Sequence, residues 1–190
     1  MTDGPGRLFA AGGPEPLPVA IRLEIPGDEP GIRAVELAAF IGPEEADTVD
    51  RVRREAPAGW QSLVATDHHG RIVGHLLLTP CPVVREETVL GEVLAIGPVA
   101  VLPDLQFRGV GSALMTAAIG LAIARAVPAL VLLGFPSYYP RFGFAPARAQ
   151  GLEPPAHAWP DEAWMARRLP AWTDDLQGTV HYPEAFGPLA

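Results

Sequence analysis

Residues 92–111 constrain the fold more than any other stretch of this chain. Glu92 to Leu102 is apolar enough for a buried strand, yet it carries Gly97-Pro98 near its centre. Proline lacks the amide donor that a sheet ladder needs, so the strand must bulge or present an unpaired edge there. A turn over residues 103–109 follows, and an apolar, small-residue helix is expected from Gly111 to about Ala126. The first N–H groups of a helix have no intrahelical acceptor, and the helix dipole adds positive character, so they suit an anion. Gly109 and Gly111 lack side chains and would let a phosphate approach the backbone. Arg108 adds a nearby cation and Ser112 a hydroxyl donor. The same spacing also serves any strand–helix connection that needs glycine for its backbone angles. It is not a Walker loop, because no Gly-Lys-Ser/Thr follows. Nor is it a dinucleotide fingerprint, since Gly109-Val110-Gly111 is followed by Ser112, Ala113 and Leu114.

Periodicity places other elements around this centre. Residues 19–25 alternate, with Ile21, Leu23 and Ile25 on one face, and predict a strand. Asp28 offers an N-cap to a helix carrying Ile32, Val35, Leu37 and Phe40. Residues 44–55 predict a charged second helix with Val49 and Val52 inward. Residues 61–66 and 72–78 read as a hairpin closed by Asp67-His68-His69-Gly70. Residues 129–133 form a short buried strand, residues 136–142 a short helix, and residues 144–147 open a last hairpin. Residues 151–176, with Trp159, Trp164 and Trp172, read as an ordered excursion packed on the core, and residues 179–182 as a final strand. This order implies an α+β fold with a mixed sheet rather than a doubly wound one. Three segments follow: a flexible tail rich in Gly, Pro and Ala over residues 1–18, a core over 19–147, and an extension over 148–190 that packs on the core and completes the sheet.

Composition narrows the partners. The 190 residues suit one domain, and the 48 % apolar content a packed core. A formal charge of −8 argues against nucleic acid as a partner, because nothing neutralises a run of phosphates. The longest apolar stretch, Val110 to Leu133, is broken by Arg125 and Pro128, which argues against a membrane span. The N-terminus lacks the charged and apolar regions of a signal peptide, so a cytoplasmic location is expected. The single cysteine, Cys81, permits no intrachain disulfide, and the histidines form no spaced ligand set with it, so no metal is expected. All 14 basic residues are Arg, which leaves no lysine for the chain to be acetylated on.

The longer string Val99-Ala-Val-Leu-Pro-Asp-Leu-Gln-Phe-Arg-Gly-Val-Gly-Ser-Ala-Leu114 resembles the acetyl-CoA motif of the GNAT superfamily of N-acetyltransferases. Gln106, Gly109 and Gly111 match the fixed positions of its Gln/Arg-x-x-Gly-x-Gly/Ala signature, and Tyr139-Pro-Arg-Phe-Gly-Phe144 resembles its Tyr-x-x-x-Gly-Phe segment. The stretch from Gly134 to Phe144 is similar to that of a bacterial subgroup of the superfamily. The resemblance implies a mixed, mostly antiparallel central sheet flanked by helices, with splayed central strands. It implies an acetyl-CoA-dependent N-acetyltransferase that moves the acetyl group directly to a primary amine of a small molecule or protein. Val99, Ala100 and Val101 would then pair with the pantetheine arm, and Gln106, Phe107, Arg108, Gly109, Val110, Gly111 and Ser112 would take the pyrophosphate.

Tyr139 occupies the family's frequent general-acid position, four residues before Gly143, and Tyr138 is expected to point elsewhere, into the core. Glu92 is the candidate base, acting directly or through a water, and His75 inside its apolar strand reads as a core histidine before a substrate contact. Cys81 lies outside both motifs, which disfavours a covalent relay. Where the family often has Asn before the tyrosine helix, this chain has Phe135-Pro136-Ser137. An acyl-CoA-binding sensor or interaction module of the same fold is the alternative, and a longer acyl donor a third reading. The acceptor would be read by the first two helices, the loop over residues 80–91 and the tryptophan-bearing excursion, and the resemblance allows a homodimer.

Overall fold

The strand carrying Pro98 does bulge, and the rest of the sheet is arranged around that point. The computed structural model describes residues 15–55 and 58–188. Its nine strands form one sheet: β1 (Ala20–Leu23), β2 (Gln61–Thr66), β3 (Ile72–Arg85), β4 (Thr88–Val101), β5 (Ala129–Leu133), β6 (Ala145–Pro146), β7 (Leu152–Glu153), β8 (Trp164–Arg168) and β9 (Gly178–Val180). The order across the sheet is β1-β2-β3-β4-β5-β8-β6, with β9 pairing to both β3 and β7. All pairings are antiparallel except β4 with β5 and β7 with β9. The long β3–β4 hairpin changes register between Leu76 and Leu78, so Gly97 and Pro98 together oppose Leu77. The missing proline donor is thereby absorbed in a bulge, as the sequence requires.

Alternation along β2 and β3 sends successive side chains to opposite faces. Leu76 and Leu78 pack with Leu114, Met115 and Ala118 of helix α3 (Val110–Ala124). Val64 and Leu77 pack instead with Ile32 of α1 (Glu29–Ala39) and with Val49 and Val52 of α2 (Glu44–Glu55). Each fully buried Leu or Val of these two clusters contributes about 1.5–3 kcal/mol of transfer free energy. Among the described residues no helix is long and apolar enough to cross a membrane.

Several expectations are corrected. Asp28 stands at the N-cap of α1 but makes no side-chain cap bond. Its carboxylate instead accepts from both terminal nitrogens of Arg22, at 2.5 and 2.9 Å, and from the Ile25 N–H at 2.9 Å. The Arg22 guanidinium accordingly holds the Asp28 carboxyl below the usual carboxylate range. The expected loop over residues 80–91 is not a loop: β3 runs through Cys81 to Arg85, turns at Glu86 and Glu87, and β4 begins at Thr88. Pro80 and Pro82 are tolerated because β2 ends opposite Leu78 and β9 pairs only from Val83, so no ladder partner there needs a proline N–H; the Pro82 carbonyl still accepts from the His181 N–H at 2.9 Å. The helix expected over residues 136–142 is a single 3-10 turn, Tyr139–Phe142. The excursion over residues 151–176 supplies β8, a main strand beside β5. The tail expected over residues 1–18 lies outside the described residues up to residue 14, but Leu17 is tied down, its N–H donating to the Arg108 carbonyl at 2.9 Å.

Candidate functional site

Strands β4 and β5 pair only at Leu94–Leu130 and Ala95–Val131. Beyond Ala95 they diverge, and among the described residues β4 has no strand partner on that side. A cleft of about 560 Å³ flanks this part of β4, lined by Val99, Val101, Gln106, Phe107, Gly109, Gly111, Ser112, Phe135, Tyr138, Tyr139 and Arg141. Seven of these come from the turn and strand that the sequence marks.

Local geometry explains why the turn looks as it does. Gly109, the residue before α3, has φ of 86°, in the left-handed region that favours glycine. Ala113 donates to Gly109 O at 2.9 Å, so the N–H groups of Val110, Gly111 and Ser112 precede the helical ladder and have no intrahelical acceptor. The side-chain amide of Gln106 donates to Val101 O at 3.2 Å and pins the turn to the end of β4. Phe107 also takes a positive φ, 61°, and its ring is almost fully exposed at the mouth.

Three of the expected contact residues turn their side chains away from the cleft. Ala100 is buried on the opposite face, across from His75, and Val110, the first residue of α3, points into the core. Arg108 donates through Nε to Glu15 O at 3.1 Å while its carbonyl holds Leu17, so its side chain ties down the chain ahead of β1. The cation that lines the cleft is Arg141, and sequence reasoning missed it. Its guanidinium lies 4.7 Å from the centre of the Tyr138 ring. A 3-10 turn eclipses residues three apart, and the spacing of Tyr138 and Arg141 is the signal that could have found both. Tyr138 is therefore not purely a core residue: it lines the cleft, and a Cβ built on Gly111 would come within 3.1 Å of its hydroxyl.

Tyr139 is half-buried in the cleft wall, perpendicular to Tyr138 at 5.0 Å between ring centres. Burial, with a smaller contribution from Tyr138, pushes its phenol up to about 12, so it is a protonated donor at neutral pH. Glu92 is exposed on β4 opposite Pro82 and does not line the cleft. Gly97 lies five positions further along, or about 16 Å on an extended strand. Cys81 is fully buried and its thiol is pushed up to about 12 by desolvation, which leaves no thiolate at neutral pH.

A polar cluster sits on the α1/α2 face. His75 is completely buried, with Nδ1 2.5 Å from Glu36 Oε1 and Nε2 2.9 Å from Ser62 Oγ. The histidine is thus a satisfied core residue. Glu36 was not singled out from sequence, although it falls beside Ile32 and Val35 on the buried stripe of α1, where a carboxylate is out of place. Burial pushes its carboxyl above the usual range, partly offset by His75, and its Oε2 has no hydrogen-bond partner.

Comparison with known proteins agrees with this geometry. Residues 30–144 match the model of the acetyltransferase (GNAT) family. The chain is 34 % identical over 176 residues to the N-acetyltransferase YhbS of Escherichia coli, covering 87 % of this chain and 97 % of that one. It is 32 % identical over 168 residues to the N-acetyltransferase YjhQ of Escherichia coli K12, covering 85 % and 92 %. The crystal structure of Escherichia coli YhbS in complex with CoA superposes with a TM-score of 0.79 at 28 % identity, covering 95 % and 98 %. A GNAT acetyltransferase from Brucella melitensis, solved with acetyl-CoA, gives 0.66 at 29 % identity, covering 88 % and 97 %. The splayed strands, the glycine turn at a helix N-terminus and the family match lead to one conclusion: this chain belongs to the acetyltransferase (GNAT) family.

Proposed function

We propose that the chain binds acetyl-CoA in the cleft beside β4 and transfers its acetyl group directly to a primary amine. The observation that carries this reading is the convergence, in one cleft, of the α3 N-terminus at Gly109–Ser112, the unpaired edge of β4 and the phenol of Tyr139. The free N–H groups of the turn and Arg141 suit the pyrophosphate, and the edge of β4 at Val99–Val101 offers backbone groups to an amide-bearing arm. The CoA and acetyl-CoA bound by the two solved relatives support the same choice of donor.

In the reaction the amine nitrogen attacks the thioester carbon and the carbon–sulfur bond breaks. Tyr139 gives its proton to the departing thiolate and is reprotonated from solvent. The proton lost by the amine passes to a base. Glu92, placed outside the cleft, would serve in that role only through water. Holding amine and thioester together supplies much of the rate, because a bimolecular encounter becomes a local one. The test is to mix the protein with acetyl-CoA and a panel of amines and follow release of free thiol. Amine-dependent release supports the reading. Tight CoA binding without release on any amine would point to a binding module instead.

A further inference from the structure

Two arginines meet at one pocket with no carboxylate beside either. A cavity of about 440 Å³ lies between α3, the 3-10 turn and β8, lined by Thr116, Ile119, Arg141, Phe142, Gly143 and Arg167. Acidic residues outnumber basic ones in this chain, 22 to 14, and Arg22, Arg33, Arg53, Arg71, Arg148 and Arg168 each face a carboxylate. Among the described residues neither Arg141 nor Arg167 does. Arg141 donates through Nη2 to Ser137 O at 3.5 Å and lies over Tyr138, and Arg167 donates through Nη1 to Phe142 O at 2.5 Å. Arg167 is also out of pattern. Strand alternation puts it on one face with Met165 and Leu169, which are both buried in the α3 cluster. Its guanidinium lies against Gly143, with Nε 3.6 Å from where a Cβ on that glycine would stand, and most of its donors are uncommitted.

The pocket continues the cleft proposed for acetyl-CoA. Arg141 lines both. Ser112 lines the cleft and Thr116 the pocket, one turn further along α3, and Thr116 Oγ1 donates to Ser112 O at 2.9 Å. Ile119 follows on the same face of the helix. At about 1.5 Å per residue, these two side chains stand about 6 and 10 Å along α3 from Ser112. With the pantetheine arm along the edge of β4, the nucleotide end of the donor leaves the turn by another route, and the groove past Arg141 offers one. One ribose beyond its pyrophosphate, CoA carries a phosphate monoester of about −1.5 to −2 charge at neutral pH. Guanidinium groups donate to such oxygens in pairs. Arg167 belongs to the C-terminal extension, outside the residues that match the family model, so this seat is a feature of the longer chain.

Resting on the reading above, we infer that the pocket between α3 and Gly143 binds the ribose 3′-phosphate of the acyl-CoA, with Arg167 as its main partner and Arg141 standing between the two phosphate seats. Strand β8 of the extension thereby takes part in donor recognition. Arg167 is a specificity-determining residue: it selects donors that carry the phosphate monoester over those that end in a free hydroxyl. It acts in binding and takes no part in acyl transfer.

The test compares CoA with dephospho-CoA, which lacks only that phosphate, by calorimetric titration into the full chain. The wild-type protein should bind CoA more tightly by about tenfold to a hundredfold, the size of one charge-assisted hydrogen bond. In Arg167→Gln that ratio should narrow by about fivefold or more, and Arg167→Lys, which keeps the charge, should hold a wider ratio than Arg167→Gln. A residue that only propped the 3-10 turn through Phe142 O would weaken both ligands equally and leave the ratio unchanged. Thr116→Glu brings a carboxylate to the same pocket from an exposed position of α3 and leaves the bond from Arg167 to Phe142 O in place. It should weaken CoA by about tenfold and dephospho-CoA by less than about threefold. Equal affinity of the wild type for the two ligands, or a ratio undiminished in either Arg167→Gln or Thr116→Glu, overturns the inference and leaves the acyl-CoA reading standing. If neither ligand binds, the acyl-CoA reading itself fails and the inference falls with it.

Discussion

A methyl group built on Gly134 would overlap the ring of Tyr139. The last residue before the Phe135-Pro136-Ser137 segment must therefore be small for the phenol to stand where it does. Gly134→Ala is expected to shift Tyr139 and lower kcat by about tenfold or more, since a displacement near 1 Å can cost up to a hundredfold. CoA affinity should fall less. Steady-state kinetics beside calorimetric CoA binding checks this, and a variant with unchanged kcat would remove the requirement.

Tyr139→Phe should lower kcat by about a hundredfold, within the usual range for loss of a general acid. Because the Tyr139 phenol is pushed up to about 12, it stays protonated across the working range. The pH profile of kcat should then show no alkaline decline from this group below pH about 10. An alkaline limb near neutrality that vanishes in Tyr139→Phe would contradict the assignment. The same shift links to stability: the folded pKa exceeds the unfolded one, so the stability it confers is complete below the unfolded value of 10 and is lost as pH rises through about 12.

The two arginines near the turn should behave differently. Arg141→Ala is expected to weaken CoA binding by about fivefold to tenfold and to reduce its salt sensitivity, because this cation lines the cleft. Arg108→Ala should change CoA affinity by less than about twofold and instead loosen residues 15–17, which it holds. Calorimetry at two salt concentrations, with hydrogen exchange on the N-terminal residues, distinguishes them.

That contrast shows where sequence reading stops. The turn, the bulge at Pro98 and the bounds of α2, β2 and β5 were legible because glycine and proline have local causes and the apolar periods are strong. Side-chain direction was not: Arg108 follows the motif, yet the segment at Glu15 captures it. The continuation of β3 through Pro80, Cys81 and Pro82 was hidden because proline argues locally against a strand, and only the end of β2 at Gln61 makes room for it. Strand β8 carries Arg167 and Arg168 in its pattern and is specified by pairing with β5 rather than by its own sequence. Trp159 and Trp164 sit in the core of that layer, with the Trp164 Nε1 donating to Leu152 O at 2.9 Å, so they pack the extension and do not line the cleft.

Direct transfer predicts that Cys81 is dispensable for chemistry. Its thiol is buried and pushed up to about 12, so native protein should resist alkylation at neutral pH. Cys81→Ser should retain acetyl transfer, and intact-mass measurement under turnover should detect no acyl-enzyme. A transferable acetyl group on Cys81 would contradict direct attack.

Glu36 gives a signature in stability. Desolvation raises its folded pKa above the unfolded value of 4.5, so its contribution is present below that value and falls as pH rises through the folded one. Glu36→Gln should flatten stability against pH over that window, measured by denaturant unfolding at a series of pH values. A variant with the wild-type slope would show that Glu36 does not carry it.

The seat of the acyl donor decides every role assigned to the cleft. A crystal structure of the protein with acetyl-CoA tests this most directly. It should place the pyrophosphate on the backbone N–H groups of Gly109–Ser112, the thioester beside Val99, and the Tyr139 hydroxyl within hydrogen-bond reach of the sulfur, at most about 4 Å for such a contact. A donor bound away from this turn, or a sulfur beyond the reach of Tyr139, would contradict it.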